Sequence, residues 1–327
     1  MDSLSRRGLI AGTLAGVLGT AGCGGGHHSP APVPSSGTAS PAPTASASAA
    51  ALPVFPPWQP SSNDIDPQVK LRAVQLIEAL GSWPAGQQGQ ARARARVAAL
   101  GLDPALAAQA GPLLPDSAAA SLEVLEAQYG GILSDSASVL VVCRQWTLSP
   151  QGLAVPGGTT VDVRLSRAQP RWTVTALHPA QPGPAARSLP SAAERVLASA
   201  AITLPPAAEA DVRSGNVHQS ALEALLTLAG SYRMQLSVVR SGHPLDVFGT
   251  TRPSDHPKGR AFDVWLIDGR AVVDPATPKS LVEGFMRAAA AAGSYNVGGP
   301  WLLSGGGVDQ FFSDATHHDH VHAGFDS

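Results

Sequence analysis

Two short stretches of this chain concentrate side chains that can bind a cation or move a proton. The first, Ser254-Asp255-His256-Pro257-Lys258-Gly259-Arg260-Ala261-Phe262-Asp263, gathers an imidazole, two carboxylates and two cations around one glycine. The second, His317-His318-Asp319-His320-Val321-His322, holds four of the ten histidines. From His318 onward the pattern alternates as a strand does. Side chains two apart share a face, so His318, His320 and His322 are expected on one side, with Asp319 and Val321 on the other. A solvated tail fits this stretch poorly, because Val321, Ala323 and Phe325 read as the packed face of a strand, and a terminus becomes ordered only when something ties it down.

In "AFDVWLI", residues 261–267, the apolar neighbours Phe262, Val264 and Leu266 fall on the face opposite Asp263. A carboxylate in the middle of such a strand is costly to bury without a partner, and a cation offsets that cost. Gly259 permits a sharp turn between His256 and Asp263, and Ala261 leaves room beside the strand. Two imidazoles and a carboxylate make the ligand set of a catalytic Zn²⁺ site, with one position left open for water. Nitrogen donors argue against Mg²⁺ and Ca²⁺, which prefer oxygen shells. Fe²⁺ in a two-histidine, one-carboxylate triad is the alternative, but such triads usually take His and Asp from one short strand segment, two apart, whereas here the two flank a glycine turn.

The run from Ser254 to Asp263 resembles the S-x-H-x-x-G-x-A-x-D signature of the zinc D-alanyl-D-alanine carboxypeptidases and dipeptidases, and His320-Val321-His322 is similar to their closing H-x-H. The resemblance covers about residues 190–327 and says nothing of residues 58–182. It implies a small antiparallel sheet with flanking helices, the fold shared with hedgehog N-terminal domains and lysostaphin-type peptidases. It also implies that His256, Asp263 and His322 bind zinc, while His320 serves as base or transition-state stabiliser beside the attacking water. Ser254 then either hydrogen-bonds behind the ligands or is a plain turn residue. Asp319 either orients a helper group or pairs on the far face. Relatives place a substrate-binding arginine just after a Ser-Gly-aromatic turn. Here the order is Arg240-Ser241-Gly242-His243, so Arg240 and Arg252 are both candidates for holding a terminal carboxylate or an oxyanion. The implied substrates are the stem peptides of peptidoglycan, with exopeptidase and endopeptidase action both open. A catalytically silent zinc-containing binding module and a structural envelope lipoprotein are the competing readings.

These groups must be positioned by an α+β fold. "DPQVKLRAVQLIEALG" predicts a helix with Asp66 as N-cap, Pro67 at its first position and Gly81 at its end, its apolar face formed by Val69, Ala73, Leu76, Ile77 and Leu80. A second helix is expected over 87–100 and a third through "AASLEVLEAQYG". Then "SVLVVCRQWTL", "TTVDVRLSR" and "RWTVTALHP" predict a three-stranded antiparallel meander, completing a small α+β domain over 58–182. His178 stands alone there, and Cys143 within "VLVVCRQW" reads as a core residue. "QPGPAARSLP" marks a boundary before the second domain, residues 190–327. Helices are expected from Ser191, over 217–229 and over 278–292, with a strand in "RMQLSVVRSG" and a hairpin turning at Asp268-Gly269.

The N-terminus completes the organisation. Ser5-Arg6-Arg7-Gly8-Leu9-Ile10 and the apolar run behind it give residues 1–23 the layout of an export signal similar to the twin-arginine type. Thr20-Ala21-Gly22-Cys23 resembles a lipobox, with Thr20 where such boxes usually carry Leu, so Cys23 is the candidate for lipidation and for anchoring the chain to a membrane. Residues 24–57 are rich in Pro, Ser, Ala and Gly, a composition that cannot bury enough surface to fold, and His27 and His28 within it read as solvated. As a tether they span about 30 Å rms. A formal net charge of -2 without a basic stripe excludes a nucleic-acid binder.

Overall fold

The computed structural model describes residues 51–326, all within one compact unit. The expected export signal, Cys23, and the tether up to residue 50 lie outside the described residues, whereas 51–57, expected as the tether's end, pack on the first sheet, with Phe55 stacked on Trp146 and the Pro53 carbonyl accepting from the Ser121 hydroxyl. Among the described residues no helix is long and apolar enough to cross a membrane.

The first half opens with helix α1, Pro67–Gly81, whose residues Val69, Ala73, Leu76, Ile77 and Leu80 are fully buried, as their spacing predicts. Asp66 precedes it without a side-chain cap bond; its carbonyl instead accepts a hydrogen bond from the Tyr129 hydroxyl at 2.7 Å. Helix α2 is Gln90–Ala99. Four strands come next, β1 (Ala120–Ile132), β2 (Ser136–Leu148), β3 (Ala154–Ser166) and β4 (Thr173–Pro179), as an antiparallel sheet in sequence order. The meander has one strand more than its sequence predicts, because the stretch read as a third helix is strand β1. Leu, Glu, Ala and Gln favour helix intrinsically. That preference is overridden by pairing of Ala120–Ile132 along the whole of β2 and by packing against α1, since local propensity is only a weak prior against tertiary burial. Gly81 makes the packing close: a Cβ there would overlap the Leu122 side chain.

The second half contains α3 (Ser191–Ala198), β5 (Ile202–Thr203), α4 (Pro206–Arg213), α5 (Gln219–Ala229) and β6 (Met234–Val238). Then come β7 (Ala261–Ile267), β8 (Arg270–Ala271), α6 (Lys279–Ala291), β9 (Asn296–Gly298), β10 (Phe311–Phe312) and β11 (Val321–Gly324). The sheet order is β10-β9-β11-β7-β6-β5, with β8 paired to β7 through the expected turn at Asp268-Gly269. Its central pairs are antiparallel, and the short strands β5 and β10 join its edges in parallel. Together the two halves make an α+β fold.

Each half has its own apolar cluster. One, around α1 and the four-stranded sheet, includes Leu76, Tyr129, Val141 and Val163; the other, between the second sheet and its helices, includes Leu225, Phe262, Val264 and Phe285. Cys143 belongs to the first, where its thiol is buried and directed at the Thr159 carbonyl. Polar contacts join the halves. Strand β1 lies against the 316–318 turn, and the Ile132 amide donates to the Thr316 hydroxyl at 3.3 Å.

Candidate metal centre

Three short-range features bring the ligand candidates together. The Asp255–Gly259 chain reversal holds His256 in a single 3-10 turn, His256–Lys258, closed by Gly259 in the left-handed region with φ of 69°. A side chain at 259 would also overlap the Asn216 carbonyl oxygen, so both the turn and its packing require glycine. Strand β7 then presents Asp263 on the face opposite Phe262 and Val264, which enter the core. The antiparallel register of β11 against β7 sets His322 directly across from Asp263.

The result is a compact triangle. His256 Nε2 is 3.1 Å from Asp263 Oδ1 and 3.2 Å from His322 Nδ1, and His322 Nδ1 is 2.9 Å from the same Asp263 oxygen. Donor atoms about 2.0–2.1 Å from a tetrahedral metal are about 3.3 Å from one another, so one ion can reach all three. The far nitrogen of His256 donates to the Val239 carbonyl at 3.0 Å, which places the proton on Nδ1 and leaves the Nε2 lone pair facing Asp263 and His322. His256 and Asp263 are fully buried and His322 nearly so.

His243 stands beside them. With His256 and Asp263 it offers three donor atoms within 4.8 Å of one another, a group that can hold a metal ion. Its ring, however, stacks on that of His256, with centroids 4.1 Å apart and planes 18° from parallel. Imidazole lone pairs lie in the ring plane, so two stacked rings do not aim at one point. The triangle completed by His322 is the tighter donor set.

The electrostatics suit cation binding. Burial by itself raises the Asp263 carboxyl, but the imidazoles of His256, His320 and His322 packed around it hold it well below the usual carboxylate range. Burial pushes His322 down to about 4, and the neighbouring rings of His256 and His317 oppose its protonation further. His243 is likewise lowered, by burial and by His256. At neutral pH the centre therefore offers one carboxylate and unprotonated imidazoles at His243 and His322.

His320, only 2% exposed, faces the same centre, with Nε2 3.8 Å from Asp263 Oδ2. Its Nδ1 donates to Asp319 Oδ1 at 2.6 Å, so Nε2 is the atom free to exchange a proton. Burial lowers its pKa, but Asp263 and Asp319 more than reverse this and hold the ring above its ordinary value. Asp319 is fixed in turn through its other oxygen: the Lys70 ammonium lies 2.6 Å from Oδ2, and the Tyr129 amide donates to Oδ2 at 3.0 Å. Lys70 is also paired with Asp64. Asp319 combines the two roles the sequence leaves open: it hydrogen-bonds His320 through one oxygen and pairs with Lys70 through the other.

The remaining candidates divide. Ser254 accepts from the His256 amide at 3.3 Å and lies 3.5 Å from His243 Nδ1, behind the ligands. Arg252 lines a cleft of about 610 Å³ together with His320, His322, His317 and Phe312. Arg240 lines an adjacent cavity of about 730 Å³ and lies 3.7 Å from the buried carboxylate of Asp211. The two cavities meet at His243, which lines both, and of the two arginines Arg252 is the one in the cleft of His320 and His322. His318 is not on the face of His320 and His322. The strand begins only at Val321, so His318 ends a 3-10 turn, Thr316–His318, and its Nε2 meets the Asn63 carbonyl at 2.9 Å. His317 enters the cleft instead, its ring centroid 5.1 Å from that of His320.

Sequence reasoning missed Lys70, Gln128 and Ser237 altogether. Gln128 Nε2 donates to Asp263 Oδ2 at 2.6 Å, across 135 residues of chain. No local pattern marks it, because β1 reads as helix. His243 carried only the faint signal of closing the Arg240-Ser241-Gly242-His243 run. Comparison of the chain with protein-family models, curated proteins and solved structures finds no match.

Proposed function

We propose that this chain is an exported zinc-dependent peptidase that hydrolyses stem peptides of peptidoglycan, held at the outer face of the cytoplasmic membrane by lipid at Cys23. The observation that carries the reading is the triangle of His256 Nε2, Asp263 Oδ1 and His322 Nδ1, with edges of 2.9–3.2 Å, beside a buried His320 whose proton position is set by Asp319. Zinc is the proposed metal because two imidazoles and one carboxylate suit Zn²⁺ better than Mg²⁺ or Ca²⁺. When bound, zinc supplies Lewis acidity toward an amide carbonyl and makes water a nucleophile near neutral pH.

The chain's own groups do the rest. His256, Asp263 and His322 would hold the ion. His320 Nε2 takes the proton of the attacking water; once protonated, it is a donor toward the developing negative charge or the departing amine. Arg252, in the same cleft, pairs with a carboxylate of the peptide through its planar N–H groups. The substrate class rests on the likeness of residues 254–263 and 320–322 to the zinc D,D-peptidase signature.

Digestion of defined muropeptides by the zinc-loaded chain, read by mass spectrometry, tests the proposal. Loss of a terminal D-alanine or cleavage of a cross-link is expected, and either is abolished in His320→Ala while zinc is retained. A chain that binds zinc and leaves every muropeptide intact is a binding module instead.

A further inference from the structure

Gln128 is fully buried, comes from the first half of the chain, and touches a carboxylate that belongs to the second. Both ends of its amide are engaged. Nε2 donates to Asp263 Oδ2 at 2.6 Å, and Oε1 accepts a short hydrogen bond from the Ser237 hydroxyl. Ser237 is on β6, next to β7 in the sheet, and is itself fully buried. A hydroxyl has one proton, and here it goes to Oε1. This fixes which end of the amide faces Asp263, because a carboxylate can only accept.

The consequence falls on the two oxygens of Asp263. Oδ1 is the one shared with His256 and His322, whereas Oδ2 is occupied by Gln128. With Gln128 removed, Oδ2 keeps only His320 Nε2, 3.8 Å away, and the carboxylate is held through Oδ1 alone. Groups that hydrogen-bond to a metal-binding carboxylate fix its orientation and change metal affinity by about 10–100-fold when lost.

We propose that Gln128 is a positioning residue of the metal centre, so that strand β1 of the first half is a working part of the site and not a separate module beside it. This rests on the metal-binding reading of His256, Asp263 and His322. Through Ser237 and Gln128 the two sheets clamp one carboxylate in a single orientation, with Oδ1 presented to the ion. Lys70 and the Tyr129 amide act on Asp319 from the same half of the chain, so both acids that serve the histidines are gripped from the first domain.

The test is zinc affinity, measured by competition with a chelator on the full chain, for wild type, Gln128→Met and Ser237→Ala. Thermal unfolding of each metal-free form and the visible spectrum of each Co²⁺ form accompany it. Gln128→Met keeps the bulk and removes the donor; affinity is expected to fall about 10–100-fold and the Co²⁺ absorption to change, beyond any change in metal-free stability. Ser237→Ala, which frees the amide without touching its donor, is expected to lose several-fold, and it decides the matter if Gln128→Met does not fold. Affinities within twofold of wild type, or losses that merely track metal-free stability, overturn the proposal. A wild-type chain that takes up no zinc overturns the metal reading itself, and that result appears before any variant is compared.

Discussion

Asp319 joins His320 to Lys70: one of its oxygens is 2.6 Å from His320 Nδ1 and the other 2.6 Å from the Lys70 ammonium. All three side chains are nearly or fully buried, so the imidazole is held by an ion pair that water does not screen. Asp319→Asn presents an amide that can donate to Nδ1 and so favours the wrong tautomer. Muropeptide turnover is expected to fall about 10²–10⁴-fold with zinc content unchanged, measured by steady-state kinetics beside metal analysis. Equal turnover in variant and wild type rules out the orienting role.

Loss of a ligand should separate from loss of the base. His256→Ala and Asp263→Ala are each expected to bind no stoichiometric zinc, whereas His320→Ala keeps it. In wild type, zinc at about a thousand times its dissociation constant adds about 4 kcal/mol to stability, so thermal unfolding should shift upward on zinc addition and return with a chelator. The shift should vanish in the two ligand variants.

The two arginines make opposite predictions. Arg252 shares the cleft with His320 and His322, while Arg240 faces the neighbouring cavity beside Asp211. Arg252→Ala is expected to lower kcat/KM about tenfold or more, since hydrogen bonds to charged groups contribute about 1.5–3 kcal/mol. Arg240→Ala should instead lower stability with kcat/KM nearly unchanged. The reverse pattern would move the peptide carboxylate into the adjacent cavity.

Glu126 gives the fold a pH dependence of unusual sign. Burial raises its carboxyl to about 7 despite the nearby Lys70, with Asp319 and Asp64 adding to the rise. Between the ordinary value of 4.5 and about 7 the folded chain keeps a proton that the unfolded chain releases. Stability from this group is therefore present at low pH and is lost as pH rises through that window, by an amount on the order of 3 kcal/mol at most. Glu126→Gln removes the titration and should gain on wild type between pH 5 and pH 8 in urea unfolding. A difference that stays flat across that range contradicts the account.

Gly259→Ala should damage the metal site from outside it. The residue has φ of 69° and no room for a Cβ beside the Asn216 carbonyl. The turn that carries His256 must shift, with an expected loss of at least 1–2 kcal/mol and a matching drop in zinc affinity. Calorimetry and chelator competition measure the two together.

Much of the centre is legible in the chain itself. His256 and Asp263 on either side of Gly259, and the alternation of His320 and His322, are local patterns; a turn needing a left-handed residue and a strand of period two dictate them over a few residues. The same locality misleads at His318, where the strand was expected to begin three residues before Val321 and a 3-10 turn formed against Asn63. It fails at β1, whose Leu, Glu and Ala favour helix until β2 offers its edge.

By itself, then, the sequence determined which side chains line the candidate centre, their spacing, and the α+β order of most elements, because each depends on neighbours along the chain. Only the tertiary structure decided that Gln128 grips Asp263, that Lys70 and Asp319 set His320, and that Arg240 and Arg252 face different cavities. Gln128 and Asp263 are 135 residues apart in the chain, and Tyr129 and Asp319 are 190 apart. Buried polar groups must find partners wherever packing brings them, and no local periodicity records which partner that is.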